Sequence, residues 1–432
     1  MMTTIFALAT PPGRGAIAVI RISGLETDRV LGALGAPNLT PRMASLRTLR
    51  HGGVVLDQAL VLRFARPLSY TGEDCAELHL HGGRAVVEAV TSALIDLDLR
   101  PAEPGEFTRR AFENGRMDLA QAEAVADLID AETTAQTAQA LAQLDGALSR
   151  TYGGFRRDLL TALALVEAEI DFPDEDVPDH LAATAGPVLD SLIVDLEAAL
   201  ADAERGRRVR DGYRIVLIGE TNAGKSALFN ALVEREAAIV TPIAGTTRDV
   251  IDAVLNIGGY AVTLSDTAGL RESADPVEAE GVRRARARAE AADLRLWVRA
   301  PGDPDGDAAG FVQPDDFIVW TKADLEHSRP DGGYGVSAVT GEGVSALHEG
   351  LAERLARDLS GSDFPAVTRE RHRRRLAEAL EAVLAGRLRL ADAPELAGDD
   401  LRRAADALAR VTGAIGVEDV LGEVFSTFCI GK

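Results

Sequence analysis

Three changes in composition along the chain predict a multidomain α/β protein. Residues 1 to about 115 alternate apolar and polar positions between turns rich in Gly and Pro, which predicts a small α+β domain. From Met117 the chain carries Ala, Leu, Gln and Glu at helical spacing, which predicts a helical bundle domain. Between about 213 and 357, short apolar strands alternate with amphipathic helices. That order is typical of a mostly parallel sheet with helices on both faces, and helical sequence resumes after Pro365, so we expect this domain to be inserted into the helical one.

The predicted domain boundaries follow these changes. They are 1–116 for the N-terminal domain, 117–208 for the first part of the helical domain, 209–362 for the insertion and 363–432 for the second helical part. The arginine-rich stretch 205–212 is expected to be a linker in front of the insertion. Pro173 is expected to end a helix because proline lacks an N–H donor.

Each domain has its own predicted elements. In the first domain we expect strands at 16–22, 54–56, 59–64 and 76–81 and a helix at 85–97. In the helical domain we expect helices at 117–147, 154–170 and 184–204. In the inserted domain we expect strands at 214–218, 261–264, 294–298 and 317–320.

Composition and charge limit the classes of function. The formal net charge is −22, from 46 Lys and Arg against 68 Asp and Glu, so the surface repels nucleic acid and anionic membranes at long range. Contact with RNA therefore needs a local basic patch or a basic partner. Two cysteines, Cys75 and Cys429, cannot build a disulfide framework. We see no signal peptide and no apolar run of about 18 residues, and we therefore predict a cytoplasmic globular protein without a membrane span.

A glycine-rich segment between a predicted strand and a predicted helix fits a phosphate-binding loop. Residues 219–226 read GETNAGKS and match the pattern G-x-x-x-x-G-K-[ST]. Glycines let such a loop turn its backbone N–H groups toward phosphate oxygens. Lys225 would place a positive charge on the outer phosphates, and Ser226 would offer its hydroxyl to Mg²⁺. For this motif alone, the alternative is a coincidental glycine-rich turn.

Further motifs follow in a fixed order. Asp266 opens the segment DTAG, where its carboxylate can hold the Mg²⁺ shell and Gly269 can give its backbone N–H to the γ-phosphate. Residues 321–324 read TKAD and resemble a guanine-reading motif, in which Asp324 would accept from the ring N–H and the amino group of the base. Ser337 and Ala338 match the last base-contacting loop. Together these motifs resemble the Ras-like GTPase superfamily.

The predicted nucleotide contacts come from these motifs and from one segment between them. They are Asn222, Ala223, Gly224, Lys225, Ser226, Ala227, Thr241, Pro242, Ile243, Ala244, Gly245, Thr246, Thr247, Asp266, Thr267, Ala268, Gly269, Thr321, Lys322, Ala323, Asp324, Ser337 and Ala338. Thr321 stands where Asn is commoner, which leaves one bracing hydrogen bond of the base-reading loop in question.

Hydrolysis needs a group that orients water. The position that carries this Gln in Ras-like proteins is Leu270, so another residue must act. Acids shortly downstream are the candidates, although each of them alone is more often a solvated charge; they are Glu272, Asp275, Glu278 and Glu280.

Hydrolysis also needs positive charge at the phosphates. No arginine finger is identifiable, although Arg248 and Arg271 are nearby. Asn222 and the carbonyls of the short loop 241–249 could form an oxygen cage for an alkali cation such as K⁺. Alternatively, the Asn222 side chain bonds its own loop backbone.

Beyond the GTPase motifs, the whole chain resembles the MnmE (TrmE) family of tRNA uridine-modification GTPases. The matching segments are ATPPGRG at 9–15, RISG at 21–24, SYTGED at 69–74, HGG at 81–83, PGEFT at 104–108, DLAQAEA at 118–124, IDFPDE at 170–175, GTTRD at 245–249 and FCIGK at 428–432.

The resemblance implies roles in GTP hydrolysis. Glu278 would position or activate the attacking water, with Lys225 as a second catalytic residue. The implied K⁺ ligands are Asn222, Thr241, Ile243 and Thr246, and the implied Mg²⁺ ligands are Ser226 and Thr247. The chain would be a homodimer whose GTPase domains meet across K⁺ during hydrolysis.

The resemblance also implies a second cofactor and partners. The N-terminal domain would bind 5,10-methylene- or 5-formyl-tetrahydrofolate as one-carbon donor and would mediate dimerisation. The implied folate contacts are Arg21, Glu77, Arg116 and Lys432, which suit an anionic tail and a donor-rich pterin ring. Cys429 is a candidate nucleophile or redox group, or else a small buried side chain. The implied partners are tRNA and the FAD-dependent protein MnmG (GidA), in a heterotetramer or larger complex that modifies C5 of the wobble uridine with a carboxymethylaminomethyl-type group.

Two questions stay open at this point. The arginine run from Arg369 to Arg375 opens a helix, where positive charge opposes the helix dipole, so it either contacts the tRNA backbone or forms a solvated helix face. The alternative function is an Era-like ribosome-assembly or RNA-chaperone GTPase. Such proteins carry an RNA-binding module, for example a KH domain with its GXXG loop, and no such module follows the GTPase motifs in this sequence.

Overall fold

The computed structural model describes residues 3–171, 181–235, 252–266, 286–303, 310–325, 332–361, 365, 367–414, 425, 428 and 431. The chain divides into two compact units, one of Met1–Ala126 with Ala405–Lys432 and one of Asp127–Ala404. Both contain a six-stranded sheet and helices, which confirms the predicted multidomain α/β class. Among the described helices, none combines the length and the hydropathy that crossing a bilayer requires.

The first unit is built on a mostly antiparallel sheet. Its strands are β1 (Ile5–Leu8), β2 (Ile17–Ser23), β3 (Ser45–His51), β4 (Val54–Phe64), β5 (Cys75–His81) and β6 (Arg100–Pro101). They lie in the order β3-β4-β5-β2-β1-β6, and the short β6 pairs parallel to β1. Its helices are α1 (Thr27–Ala33), α2 (Arg84–Asp96) and α3 (Glu106–Glu113). The predicted α+β domain is confirmed.

Alternation along β2 and β5 sorts the side chains of this sheet onto two faces. Ile20, Ile22, Leu78 and Leu80 point into a core that α1 and α2 close with apolar side chains. Arg21 and Glu77, which pair in register, lie on the other face. The same alternation that builds the core therefore brings two of the predicted folate contacts side by side.

One strand differs from the prediction. We expected separate strands at 54–56 and 59–64, but β4 runs unbroken from Val54 to Phe64. The register with β3 shifts between Leu49 and Arg50, so that Leu49 faces Asp57 and Arg50 faces Val55. Leu56, which lies between these two pairs, is thus the extra residue of a bulge, which a sequence pattern does not distinguish from a turn.

The remaining helices follow in chain order. They are α4 (Leu119–Asp130), α5 (Thr134–Leu144), α6 (Ala147–Asp171), α7 (Gly186–Ala201), α8 (Ala203–Asp211), α9 (Lys225–Arg235), α10 (Val344–Leu359), α11 (Glu370–Arg389) and α12 (Pro394–Thr412). In the second unit α11 packs on α7, where Arg387 and Asp190 form an ion pair at 2.7 Å. Helices from either side of the α/β segment therefore share one bundle, which confirms the predicted insertion.

Two predicted segments of the helical domain were wrong. The helix expected at 117–147 is broken between α4 and α5, because Thr133 caps α5 in a capping box with Gln136. The linker expected at 205–212 is helical, as α8. Two arginines of this helix form ion pairs. Arg207 pairs with Glu204 on the same helix, and Arg208 pairs with Asp293 at 2.8 Å.

The inserted domain contains the second sheet. Its strands are β7 (Tyr213–Ile218), β8 (Asp252–Ile257), β9 (Tyr260–Asp266), β10 (Leu294–Arg299), β11 (Phe317–Trp320) and β12 (Tyr334–Gly335). They lie in the order β12-β11-β10-β7-β9-β8. Among the described strands of this sheet, the β8–β9 pair is antiparallel and every other neighbouring pair is parallel. Apolar side chains of α9 and α10 close one face, and a smaller cluster with Val216, Ala289 and Trp297 lies on the other. The predicted mostly parallel sheet is confirmed.

The turn of the β8–β9 hairpin contacts the start of α5. Ala135 N donates a hydrogen bond to the Gly259 carbonyl at 3.1 Å, and Gly259 has φ +88°. A Cβ at Gly259 would lie 2.7 Å from Thr134 Oγ1, so a side chain there would force the threonine hydroxyl to move. This hairpin leads to Asp266 at one end, and its turn touches the helical domain at the other.

We expect Gly259→Ala to destabilise this part of the chain by about 2–4 kcal/mol, from left-handed strain and from the collision with Thr134. Gly302→Ala is the matched control, since Gly302 has φ +86° and open space around its missing Cβ. Thermal unfolding should show a larger drop for Gly259→Ala, and Thr134→Ala in the same chain should recover part of it. Equal drops for the two glycine variants would contradict a tight contact.

Candidate functional site

The phosphate-binding loop joins β7 to α9 in the manner that its sequence predicts. Gly219 has φ +149°, and a Cβ there would collide with the Val298 carbonyl of neighbouring β10. Lys225 opens α9, is 6% exposed, and its Nζ donates to the carbonyls of Gly219 and Glu220, both at 2.9 Å. The ammonium group therefore curls back over the loop, where it would meet the phosphates of a bound nucleotide.

The charge of Lys225 is held in a partly dry site. Burial lowers the pKa of Lys225, and the negative charges of Asp266, Glu220 and Asp303 oppose that shift. A cation that is poorly hydrated and fixed by carbonyls interacts strongly with an anionic ligand. Bound phosphates would also reverse the effect of burial on its pKa, because their negative charge favours the ammonium form.

Ser226 and Asp266 meet beside the loop. Because β7 and β9 are parallel and Leu217 pairs with Asp266, the carboxyl ends of both strands lie at the same edge of the sheet. Ser226 Oγ donates to Asp266 Oδ2 at 2.6 Å. The other carboxylate oxygen of Asp266 is buried and has no hydrogen-bond partner among the described residues. A hydroxyl and an unsatisfied carboxylate oxygen beside the phosphate loop fit the chemistry of Mg²⁺.

The base-reading loop lies where its motif predicts. Asp324 is exposed, and a hydrogen bond with the Ser337 side chain lowers the pKa of its carboxyl group. Ser337 itself is fully buried, and its N–H donates to the Glu342 carbonyl. The structure thus brings together two predicted contacts from different loops, and the exposed Asp324 carboxylate offers acceptors that suit the N–H and amino donors of guanine.

Thr321 supplies the bracing bond that its sequence left in question. Its Oγ1 donates to the Ala223 carbonyl at 2.5 Å and lies 3.1 Å from the Arg299 carbonyl. The threonine is 5% exposed, so this link between the base-reading loop and the phosphate loop is shielded from water. A shorter side chain than Asn therefore braces the loop in this protein.

We expect Thr321→Val to raise the Kd for GDP about tenfold, because the valine keeps the shape but leaves the Ala223 carbonyl without its hydroxyl partner. Thr321→Ser keeps the hydroxyl and should bind GDP nearly as tightly as the wild type. Titration with a fluorescent GDP analogue measures both. Wild-type affinity in the valine variant would show that the bond braces nothing.

Asn222 adopts a left-handed conformation at φ +68°, which asparagine tolerates better than most residues. Its side chain is exposed and makes no hydrogen bond with any residue in the described part of the chain. The alternative interpretation, a side chain that bonds its own loop, is therefore wrong within the described residues. The amide oxygen is available to a ligand of the loop.

Several predicted site residues lie outside the described residues. They are Thr241, Pro242, Ile243, Ala244, Gly245, Thr246, Thr247, Arg248, Thr267, Ala268, Gly269, Leu270, Arg271, Glu272, Asp275, Glu278, Glu280, Cys429 and Lys432. Ala227, in the first turn of α9, and Ala338, in a turn after β12, are among the described residues. Among the described residues, no cluster of three or more His, Cys, Asp or Glu side chains could hold a metal.

The predicted folate contacts are partly brought together. Arg21 donates from Nε and Nη2 to Glu77 Oε1 at 3.1 and 2.9 Å. The guanidinium also lies 5.2 Å from the ring centroid of Tyr70 and 5.9 Å from that of Phe107. An anionic tail would have to compete with Glu77 for Arg21. Arg116 packs against Gly72, where a Cβ would lie 3.2 Å from its Cγ.

Sequence reasoning missed the aromatic part of this arrangement. Tyr70 and Phe107 lie inside the segments SYTGED and PGEFT, but nothing in those segments shows that their rings would face Arg21. His79 was also missed, although it lies two residues after Glu77 on the same face of β5 and 3.3 Å from the Glu77 carboxylate. Period-two alternation was the available signal for His79.

Three arginines of the run at the start of α11 pair with acids. Arg369 pairs with Asp127 at 2.6 Å, Arg373 with Glu370 at 2.6 Å, and Arg375 with Glu378 at 2.7 Å. Two of these three acids belong to α11 itself. The ion pairs favour a charged, locally neutralised helix face over a surface that binds a nucleic-acid backbone.

Comparisons with known proteins cover the whole chain. The MnmE helical domain matches residues 119–429, and the GTP-binding protein TrmE N-terminus matches residues 4–116. The tRNA modification GTPase MnmE of Caulobacter vibrioides is 54% identical over 451 residues, with 100% of both chains covered. The proteins of the same name from Maricaulis maris and Phenylobacterium zucineum are 55% and 53% identical, again over 100% of both chains.

The geometry of the nucleotide site agrees with these matches. A phosphate loop with its buried lysine, a carboxylate beside the loop serine and an exposed aspartate next to Ser337 lie on the elements that the GTPase motifs predict. With that site and with end-to-end identity above half to these relatives, the chain belongs to the MnmE (TrmE) family of tRNA modification GTPases.

Proposed function

We propose that this protein is a K⁺-activated GTPase that acts on tRNA. With an FAD-dependent MnmG-type partner, it would add a carboxymethylaminomethyl-type group to C5 of the wobble uridine, using a tetrahydrofolate one-carbon donor. The observation that carries the proposal is the nucleotide site of an α/β domain inserted into a chain that matches tRNA modification GTPases over its full length. No observation favours the Era-like alternative over this one.

The described residues support a division of labour at the phosphates. Lys225 is fixed over the loop and would neutralise the outer phosphates. Ser226, Asp266 and, in the segment outside the described residues, Thr247 would hold Mg²⁺, which supplies charge stabilisation between the phosphates. Glu278 would orient the attacking water in place of the glutamine that Leu270 replaces.

Asn222 supports the proposed K⁺ site. An exposed amide on the phosphate loop that makes no hydrogen bond to any described residue can offer its oxygen to an alkali cation. Thr241, Ile243 and Thr246 would complete the cage. The bound cation would supply the positive charge that an arginine finger supplies elsewhere. The GTPase domains of two copies would meet across this position in the proposed homodimer.

The partly buried Arg21–Glu77 pair of the first unit supports the proposed folate site. Arg21, Glu77 and the Tyr70 ring together offer a cation, a carboxylate and an aromatic surface. Those groups suit an anionic tail, a donor-rich pterin and a flat ring, and Arg116 and Lys432 would add positive charge. Cys429 is the proposed reactive thiol in the complex with the flavoprotein partner.

Nucleoside analysis of cellular tRNA tests the proposal. Cells that lack this protein should lose the C5-modified wobble uridine, and plasmid-borne wild type should restore it. Lys225→Ala, expressed at the same level, should not restore it, because this lysine, which lies over the phosphate loop, would hold the phosphates. Unchanged wobble-uridine modification in the deletion strain would refute the proposed substrate.

A further inference from the structure

Both tryptophans of this protein contact the guanidinium group of the same arginine, next to the nucleotide site. The chain contains two tryptophans, Trp297 on β10 and Trp320 on β11. The Arg299 guanidinium lies 4.5 Å from the ring centroid of Trp297 and 4.9 Å from that of Trp320. Arg299 pairs in register with Trp320, and Trp297 precedes it by two residues on the same strand face. Adjacent parallel strands therefore hold the cation between two indoles.

The backbone of Arg299 carries the start of the base-reading loop. Its carbonyl accepts a hydrogen bond from Thr321 N at 2.8 Å, and Thr321 Oγ1 lies 3.1 Å away. The same hydroxyl reaches the Ala223 carbonyl of the phosphate loop. Asp324 follows three residues later, after Lys322, which has φ +56°. A shift of Arg299 would thus move the loop that presents Asp324 to the base.

The side chain of Arg299 also fixes the turn that follows β10. Its Nη2 donates to the Asp303 carbonyl at 2.9 Å, and the Asp303 carboxylate accepts from Ala300 N at 2.7 Å. Asp303 is one of the acids whose charge acts on Lys225. The turn therefore connects the stacked arginine to the phosphate end of the site.

The second indole anchors the far side of the loop. Trp320 Nε1 donates to the Gly332 carbonyl at 3.1 Å, just before β12. β12 leads into Val336 and Ser337, and Val336 O accepts from Ala323 N. The segments before and after the base-reading loop are thus both attached to the stack.

We propose that Arg299, stacked between Trp297 and Trp320, is a positioning residue for guanine recognition. It touches no nucleotide itself. The stacked side chain would fix the position of the Arg299 backbone. Because the Arg299 carbonyl accepts from Thr321, this would in turn fix the position of Asp324 relative to the phosphate loop. The inference concerns the GTP site alone and does not depend on the proposed K⁺, folate or tRNA functions.

Affinities of the full-length chain for GDP and IDP test the proposal, because IDP lacks the exocyclic amino group that Asp324 is expected to read. Arg299→Met keeps an unbranched apolar side chain but removes the charge and the cation–π contacts, whose loss, if passed on to the base-reading loop, corresponds to about a tenfold change in affinity. We expect the Kd for GDP to rise about tenfold and the Kd for IDP to rise about threefold or less. The turnover number at saturating GTP should stay within about twofold. Arg299→Lys, which keeps a cation between the rings, should restore part of the GDP affinity.

A control arginine and a second variant make the outcome decisive. Arg214→Met changes an exposed arginine of the neighbouring strand β7 and should leave both affinities unchanged. If Arg299→Met does not fold, Trp320→Leu can replace it. This variant removes one indole and should likewise weaken the preference of the protein for GDP over IDP. Equal losses for GDP and IDP would mean a general loosening of the fold and would overturn the proposal. Unchanged GDP affinity, or a fall in turnover number with affinity intact, would overturn it as well.

Discussion

Asp324→Asn is expected to change the preferred base of this enzyme from guanine to xanthine. The Asp324 carboxylate would become an amide, whose N–H₂ group would face the ring N–H and amino donors of guanine. Charge-assisted hydrogen bonds are lost and two donor groups are brought together, so we expect the Kd for GDP to rise at least about 100-fold. Xanthine carries a carbonyl in place of the amino group and would accept from the new amide.

Competition binding with GDP and XDP measures the change in the variant and in the wild type. The wild type should prefer GDP, and Asp324→Asn should prefer XDP. A variant that loses affinity for both nucleotides equally would indicate a damaged loop, and a variant that retains GDP would show that Asp324 does not read the base. Thr321→Val serves as the matched control, because it disturbs the bracing of the same loop without changing the acceptor.

Lys225→Ala is expected to abolish GTP turnover, with kcat/KM lowered at least about 1,000-fold. Two carbonyls hold the ammonium group over the loop in a partly buried site. Water therefore cannot efficiently replace the charge that the variant loses. Steady-state phosphate release measures the effect, and circular dichroism checks that the domain is folded. A variant that retained more than about a tenth of the wild-type kcat/KM would mean that the phosphates bind elsewhere.

The described part of the nucleotide site follows from the sequence, because its motif residues lie in loops whose ends are fixed by buried strands, whereas 241–247 and 267–269 lie outside the described residues. Strand β7 and helix α9 form from strong local patterns, and a parallel sheet brings Asp266 beside Ser226 without further information. The domain order was predicted for the same reason, since each domain has its own periodicity.

Contacts between distant segments were not predictable. The bulge in β4 and the break at Thr133 depend on a register and on a cap that the pattern of apolar residues does not specify. Helix α8 was predicted as a linker because its sequence is rich in arginine. The sequence does not show that Asp293, a distant residue, pairs with Arg208 of this helix. The stack on Arg299 likewise joins strands that are separated along the chain by the segment between β10 and β11.

The single most direct test of the account is steady-state GTP hydrolysis by the purified chain in KCl and in NaCl at matched ionic strength. It should be measured for the wild type, Glu278→Ala and Asn222→Ala. We expect fast turnover of the wild type only with K⁺, and slow turnover of both variants in either salt. For Asn222→Ala, GDP affinity should be nearly retained, because the Asn222 amide bonds to no described part of the loop. Equal, slow wild-type rates in the two salts would contradict the account, because Asn222 would then build no cation site and a partner protein would have to supply the charge.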